Sequence, residues 1–398
     1  MDSLTQIVLG AAVGEAVAGK KLGNRAMLWG GIGGTIPDLD IIFNGLLTPL
    51  QALEIHRGFS HSILFAIIAG WLLGWLVEKM YSSPWHKYVA FIGWFALPAG
   101  VLLFFSRIFE NARFEVWSTA ALLIILSGIG YLLYRRYFRR EHVLPDATVG
   151  TWRWLMFWAI VTHPILDSFT TYGTQLFQPF TDYRVAFNTI AVADPFYTVP
   201  FLVCVVAASF FYRTNSFRRK LVWSGLAISS AYMMLCLLNK QRVNTHWQKT
   251  LDREDIAYDR YMTSPSILSN FLWTLVAETA EGYYTGKYSI FDTSPTAISF
   301  IPRDGSHIEV DRDDPTIERL RWFSNDYYAV IDHADGVQFN DLRFGSQPAA
   351  GGGQHYIFNF IVRPLADGSF EMIGSNGGPP PGEESEMISK LFARIKGI

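Results

Sequence analysis

Charge is scarce in this sequence. Only 17% of its 398 residues are Asp, Glu, Lys or Arg, and they nearly cancel, leaving a formal net charge of −2. No basic stripe runs along the chain, so no nucleic-acid partner is expected. Cysteine occurs twice, and both Cys204 and Cys236 lie in apolar runs, where they read as small buried hydrophobes rather than a disulfide framework. There is no Walker loop, dinucleotide fingerprint or Gly-x-Ser-x-Gly elbow, which argues against nucleotide chemistry and serine hydrolysis. No internal repeat or low-complexity linker stands out, and "AAGGG" (349–353) reads as a flexible loop. The N-terminal stretch has neither a cationic n-region nor a small-residue cleavage site, so no removed signal peptide is expected.

Long apolar runs are abundant instead: half of the residues are hydrophobic and 15% are aromatic. Six runs, Ser62–Met80, Tyr88–Ser106, Val116–Tyr134, Trp152–Leu166, Pro195–Tyr212 and Leu221–Leu238, approach the roughly 20 residues that cross hydrocarbon. Trp and Tyr gather at their ends as interfacial anchors do. Two shorter runs, Leu4–Ala18 and the Gly-rich Ala26–Ile36, precede them. The fold class expected from this pattern is mostly α: a polytopic transmembrane bundle of six to eight helices, followed by a soluble α+β domain with an antiparallel sheet. Residues 1–240 form the membrane domain in this reading and residues 241–398 the soluble one.

The densest basic loops are "YRRYFRRE" (134–141) and "RTNSFRRK" (213–220). The positive-inside rule puts both in the cytoplasm. Alternating crossings then place residues 56–61, the 167–194 loop and everything after Leu238 outside, with Arg107 and Arg113 on the wrong side. In the tail, "HWQKTLDREDIAYDRYM" (246–262) has a helical period. Turns near Ala280–Gly282, at "HADG" and at "LADG" separate alternating apolar runs, a hairpin signature. His246, His307, His333 and His355 show no metal-site spacing and read as structural or exposed.

Ionisable groups at membrane depth are costly and usually functional. "PDLD" offers Asp38 and Asp40 after a helix-stopping proline, and in extended chain the two would share a face. A polar turn with Asp38 as a helix cap is the alternative. "HRGFSH" (56–61) holds His56 and His61, which converge if Gly58 breaks the chain and a helix starts near Ser60. Arg57 between them has the planar fork that suits phosphate oxygens. "THPILD" (162–167) sets His163 and Asp167 four apart, one helical face, with Pro164 expected to kink the helix. Three His and three Asp at one end of the bundle suit zinc, manganese or iron rather than calcium, and six such ligands suit a pair of metals, a di-metal site, better than one closed tetrahedral site. Glu15, Glu54, Asp182, Arg184 and Asp194 fall at or near the same outer mouth. Arg184 either closes its loop on Asp182 or Asp194, or holds a lipid phosphate.

"MDSLTQIVLGAAVGE", "PDLD", "HRGFSHS" and "THPILDSFTTYGTQLF" together resemble the YdjM/YbcI-like family of bacterial inner-membrane, metal-dependent hydrolases, over roughly the first half of the chain. The resemblance implies metal ligands at Asp38, Asp40, His56, His61, His163 and Asp167. Gln6 stands where some family members have histidine. The motif set also distantly resembles zinc-dependent phospholipase C, which points toward phosphoesters. The expected protein is thus an inner-membrane, multi-pass hydrolase with its soluble domain outside. It would bind one or two divalent ions, Zn²⁺ or Mn²⁺, and act on a membrane lipid or lipid-linked substrate. Asp40 or Asp167 would serve as base, and Arg57 and Arg184 would bind substrate. The alternative is a non-catalytic transporter or regulatory scaffold with a structural metal. Oligomeric state is not legible.

Overall fold

A computed structural model describes residues 1–93, 95–96, 127–128, 130–135, 138, 145–348, 354–375 and 384–397. Contacts divide the chain into two compact units, Met1–Gly70 with Leu155–Ile398, and Trp71–Trp154.

The first unit opens with a helical hairpin, α1 (Ser3–Leu22) and α2 (Asn24–Thr35). Glycines let the two backbones touch: a Cβ built on Gly30 would sit 2.2 Å from the Gly10 carbonyl oxygen, and one on Gly14 2.2 Å from that of Ala26. Pro37 then tightens the chain into a 3₁₀ helix, Pro37–Leu46. A short helix α3 (Pro49–Ile55) follows, its start closed by a reciprocal Thr48–Gln51 capping box. After a 3₁₀ turn at Phe59–His61, α4 (Ile63–Ser82) begins. Helix α5 (Val149–Asp167) runs through Pro164 rather than ending there. Two more helices follow, α6 (Pro195–Ser209), capped by Asp194, and α7 (Ser216–Arg253), capped by Asn215.

Helix α7 is 38 residues long, about 57 Å at 1.5 Å per residue, and passes without a break from apolar to polar sequence. Its first half packs with α1 and α6 around Phe201, Val222 and Cys236. Its last turns bury Val243, Trp247 and Leu251 against Trp273, Leu275 and Ala277 of a sheet. That sheet is antiparallel, in the order β1 (Arg260–Pro265), β2 (Leu272–Glu278), β3 (Gly282–Ser289), β4 (Ile298–Pro302). A second sheet orders β5 (Asp304–Gly305), β6 (Tyr328–His333), β7 (Gly336–Pro348), β8 (Gln354–Pro364) and β9 (Phe370–Gly374), antiparallel except for β5–β6. Helix α8 (Pro315–Ser324) covers this sheet through Ile317, Leu320 and Phe323. Strand pairs bracket all three turns marked in the sequence, but Arg260–Met262 is strand, so the helix ends at Arg253. In the second unit, Tyr81 stacks on Trp152 with centroids 5.2 Å apart.

The six-to-eight-helix bundle is corrected. Among the described residues only α4 and α7 are long and apolar enough to cross a bilayer. The Trp152–Leu166 run lies in α5, whose Arg153, His163, Pro164 and Asp167 make it too polar. The Pro195–Tyr212 run gives a 15-residue helix of about 22 Å, short of a hydrocarbon core about 30 Å thick. Much of Val116–Tyr134 and of Tyr88–Ser106 falls outside the described residues. After α7 the chain builds two sheets rather than one, and the second is mixed through its parallel β5–β6 pair.

The Gly10–Gly30 contact is open to test. Gly30→Val is expected to destabilise the hairpin by about 1–3 kcal/mol. Gly45→Val, where an added Cβ meets nothing within 4 Å, should leave thermal unfolding in detergent unchanged. Equal melting of the two variants would refute the packing.

Candidate metal centre

Four of the six expected ligands converge. Asp38, His61, His163 and Asp167 each offer an atom within 4.8 Å of the others. The two Nε2 atoms of His61 and His163 are 3.2 Å apart. Asp38 Oδ1 lies 3.4 Å from each of them. Asp167 Oδ2 lies 3.4 Å from His163 Nε2 and 3.6 Å from His61 Nε2. A tetrahedral ion with ligands at about 2.0–2.2 Å requires ligand atoms about 3.3–3.6 Å apart. Five of the cluster's six edges thus lie close to those of a four-coordinate site, and the sixth, between the two carboxylates, is within 4.8 Å. Asp167 Oδ2 is buried and accepts no hydrogen bond of good geometry, which leaves a lone pair for a cation.

Each imidazole is turned by a partner on its far side. His163 Nδ1 donates to the Gly34 carbonyl at 2.6 Å, which leaves Nε2 facing the cluster. Burial lowers the His163 imidazolium, but the Asp167 and Asp38 carboxylates more than offset this and raise it to about 9, so a cation at Nε2 would take the place of a proton. His61 Nδ1 is 3.0 Å from Ser60 Oγ, and that hydroxyl donates to Asp40 Oδ2 at 3.2 Å, which makes Nδ1 the donor there too. Burial pushes the His61 imidazolium down to about 4, so the ring is neutral at pH 7. Burial raises the Asp38 carboxyl, but hydrogen bonds with His163 and His61 more than offset this and hold it well below the ordinary carboxylate range.

Asp40 and His56 stay outside this convergence. The cause is local geometry: "PDLD" forms a 3₁₀ helix, not extended chain, and at three residues per turn positions i and i+2 point about 120° apart. Asp38 faces the imidazoles. Asp40 faces the 56–61 loop, where it accepts from the Arg57 backbone N–H at 3.0 Å and pairs with His56 Nδ1 at 3.1 Å.

Arg57 is held from several directions. Its φ is +59°, an uncommon backbone state for a residue with a Cβ and one that surrounding structure must enforce. Nε lies 3.2 Å from Asp167 Oδ2, Nη1 donates to Thr170 Oγ1 at 3.1 Å, and the guanidinium covers the Tyr172 ring at 4.7 Å. Among the described residues, no group takes Nη2.

Arg184 does not close its loop. Asp182 pairs with Arg319 and Asp194 caps α6 and accepts from Tyr232, so neither reaches it. Arg184 instead bonds the Tyr172 carbonyl and lies over Tyr172, Trp322 and Phe323, with Nη1 and Nη2 buried and lacking hydrogen-bond partners. Glu15 is not at this mouth either. It forms a bidentate pair with Arg218, both contacts 2.6 Å, two turns along α1 from Gln6.

Sequence reasoning assigned no role to Ser60 or Tyr172, and marked Gln6 only as standing where some family members have a histidine. Gln6 donates to Asp167 Oδ1 at 2.9 Å, and the Met1 amino group contacts the same carboxylate. Tyr172 lies edge-on between His56 and Phe323 of α8, which joins the site to the second sheet's layer. An aromatic residue five positions after Asp167 carries no signal of such a role, whereas Ser60 lies inside "HRGFSH" and was open to notice.

A family model described as YdjM inner membrane protein matches residues 1–106 and 118–243, a span that contains all six expected ligands. The chain belongs to the YdjM inner membrane protein family. Among curated proteins, this YdjM family member is 24% identical over 385 residues to the uncharacterized protein YfhP of Bacillus subtilis (strain 168), covering 91% of this chain and 90% of that protein. No solved structure matches it.

The geometry separates ligands from supports. In elemental analysis of the purified protein, His61→Ala and His163→Ala should lose at least about tenfold in bound metal, while His56→Ala retains it. Equal loss in all three would mean that the four-atom cluster is not the binding set.

Proposed function

We propose that this protein is a membrane-bound, metal-dependent hydrolase of a phosphate-bearing amphiphile. The observation that carries the reading is the four-atom convergence beside Arg57, with its ligand His61 two residues before the membrane-competent helix α4. Two imidazoles and two carboxylates suit zinc first and manganese second, and four converging atoms suit one ion better than two. When bound, the ion supplies Lewis acidity at the attacked centre.

The remaining roles belong to the chain. Arg57 Nη2 is placed to take an anionic oxygen, its other nitrogens being fixed by Asp167 and Thr170. His56 replaces Asp40 and Asp167 as the acid–base candidate. Asp40 orients His56 through Nδ1, and the half-buried ring leaves Nε2 to exchange a proton. Asp40 acts through the two histidines rather than on substrate. Leu39, Ile41, Ile42, Phe43 and Leu46 are exposed apolar side chains around the two aspartates, a surface suited to acyl chains. A lipid would bring its head group to this depth while its tail stays in hydrocarbon.

A structural, non-catalytic metal is the second reading. It is favoured by a set of four protein ligands, since catalytic zinc commonly keeps one position open. Asp38, with its side chain 20% exposed against 0% for the other three, is the ligand that a substrate or water would displace.

Arg57→Lys keeps the charge but loses the fork. It should lower phospholipid or lipid-phosphate turnover by about 10- to 100-fold with metal content unchanged, and His56→Gln should lower kcat likewise. Full turnover after chelation would sink the hydrolase reading in favour of the structural one.

The soluble part is proposed to be extracytoplasmic. The basic 213–220 segment spans the start of α7, and the positive-inside rule then carries the other end of α7 outward. His307, with a side chain 98% exposed, is a suitable labelling site. His307→Cys in intact cells should react with a membrane-impermeant maleimide; reaction only after lysis would invert the orientation.

A further inference from the structure

The two sheets after α7 do not meet along their whole length. Near one end Tyr283, Tyr327, Leu342 and Tyr356 fill the space between them as a packed core. At the other end they part around a cavity of about 410 Å³, within the usual size range of small-molecule sites. Its near wall comes from β2–β4 and includes Thr274, Thr285 and Ser299; its far wall includes Gly345, Ser346 and Tyr356 from β7 and β8. A bulge in β7 shapes the edge of the cavity. The β7–β8 register shifts between Asp341 and Ser346, and Gly345 takes φ +75° there. A Cβ at Gly345 would stand 2.6 Å from Thr274 Oγ1, so the glycine lets the bulge close onto β2.

Lys287 lines this cavity directly across the ladder from Thr274. Two other charged side chains share the lining, and they neutralise each other. Arg394 grips Asp292 in a bidentate pair with both contacts 2.6 Å, and also donates to the Lys287 carbonyl. Among the described residues, no carboxylate pairs with the Lys287 ammonium. Burial lowers that ammonium to about 8, as expected where a cation lacks a partner. The lining thus combines one net positive charge, several hydroxyls and an apolar surface from Pro295, Ala297 and Ile301.

We propose that this cavity is a binding site for a small anion, a carboxylate or phosphate carried on a compact apolar body, with Lys287 as its counter-ion. The site is separate from the metal cluster, shares no residue with it, and does not depend on the hydrolase reading. Hydroxyls flanking the ammonium would take the remaining anionic oxygens, and the apolar wall would take the body.

The test uses the whole solubilised protein and pyridoxal 5′-phosphate, a phosphate on a small aromatic ring. Its aldehyde condenses with a lysine Nζ, releasing water, and borohydride reduces the imine to a stable amine. Peptide mapping then reads each lysine. Lys287 should be modified at least fivefold faster than the exposed Lys20 and Lys249. Phosphate-free pyridoxal should lose that preference, which separates anion capture from simple amine reactivity. Phenyl phosphate and benzoate should protect Lys287 and leave Lys20 and Lys249 unprotected. Protection by both assigns anions generally, and protection by one alone narrows the head group. Absence of protection by either, or equal preference for pyridoxal and its phosphate, would overturn the proposal. Thr274→Val, which keeps the charge, should weaken protection severalfold.

Discussion

A carboxylate with no solvent exposure must be compensated by its surroundings, and Asp167 is such a group. Three separate stretches of chain meet to do this. Helix α1 supplies Gln6, the 56–61 loop supplies Arg57 and His61, and α5 supplies His163 from Asp167's own helical face. Removing a single partner would strand a buried charge, a change that typically costs several kcal/mol. The strained backbone at Arg57 belongs to the same arrangement. A left-handed residue there turns its N–H toward Asp40 and its guanidinium toward Asp167.

Tyr172 extends this arrangement into the β-rich part of the chain. Arg57 and Arg184 both lie against its ring, at 4.7 and 4.6 Å, and Phe323 meets its edge. The buried cluster that includes Tyr172 also contains Val330, Phe339 and Phe360 of the second sheet. The β-rich part therefore borders the metal cluster's surroundings directly, which no pattern in its own sequence announces.

Much of the site is legible because local spacing carries it. His163 and Asp167 share a face wherever the segment is helical, and two imidazoles beside an arginine draw notice in any apolar context. The hairpins after α7 are legible because Asp-Gly between alternating runs constrains the turn. The failures have equally physical causes. Extended chain would group Asp40 with Asp38, but a 3₁₀ helix separates the two. Apolar runs were equated with crossings, yet α6 is too short and α5 too polar, and hydrophobic content alone does not register a chain's need to bury an apolar face against its neighbours. Arg184 was offered acids near in sequence, but Asp182 and Asp194 find other partners through the tertiary fold. The role of Gly34, whose carbonyl orients His163, depends on a backbone atom and leaves no trace in residue type.

The scatter of the ligands along the chain also sets an order of events. Asp38, His61 and the His163–Asp167 pair are far apart in sequence, and only the last two are neighbours before folding. A growing chain that has reached His61 can offer an ion two side chains joined by a flexible loop, and such loose chelation is weak because loop closure opposes it. Full coordination becomes available only once residue 167 has been made and α5 has docked against the α1–α2 hairpin. Capture of an ion by these four side chains would thus be a late step in the maturation of the chain. A chain stalled before α5 would be released without its ion, however much metal the compartment holds.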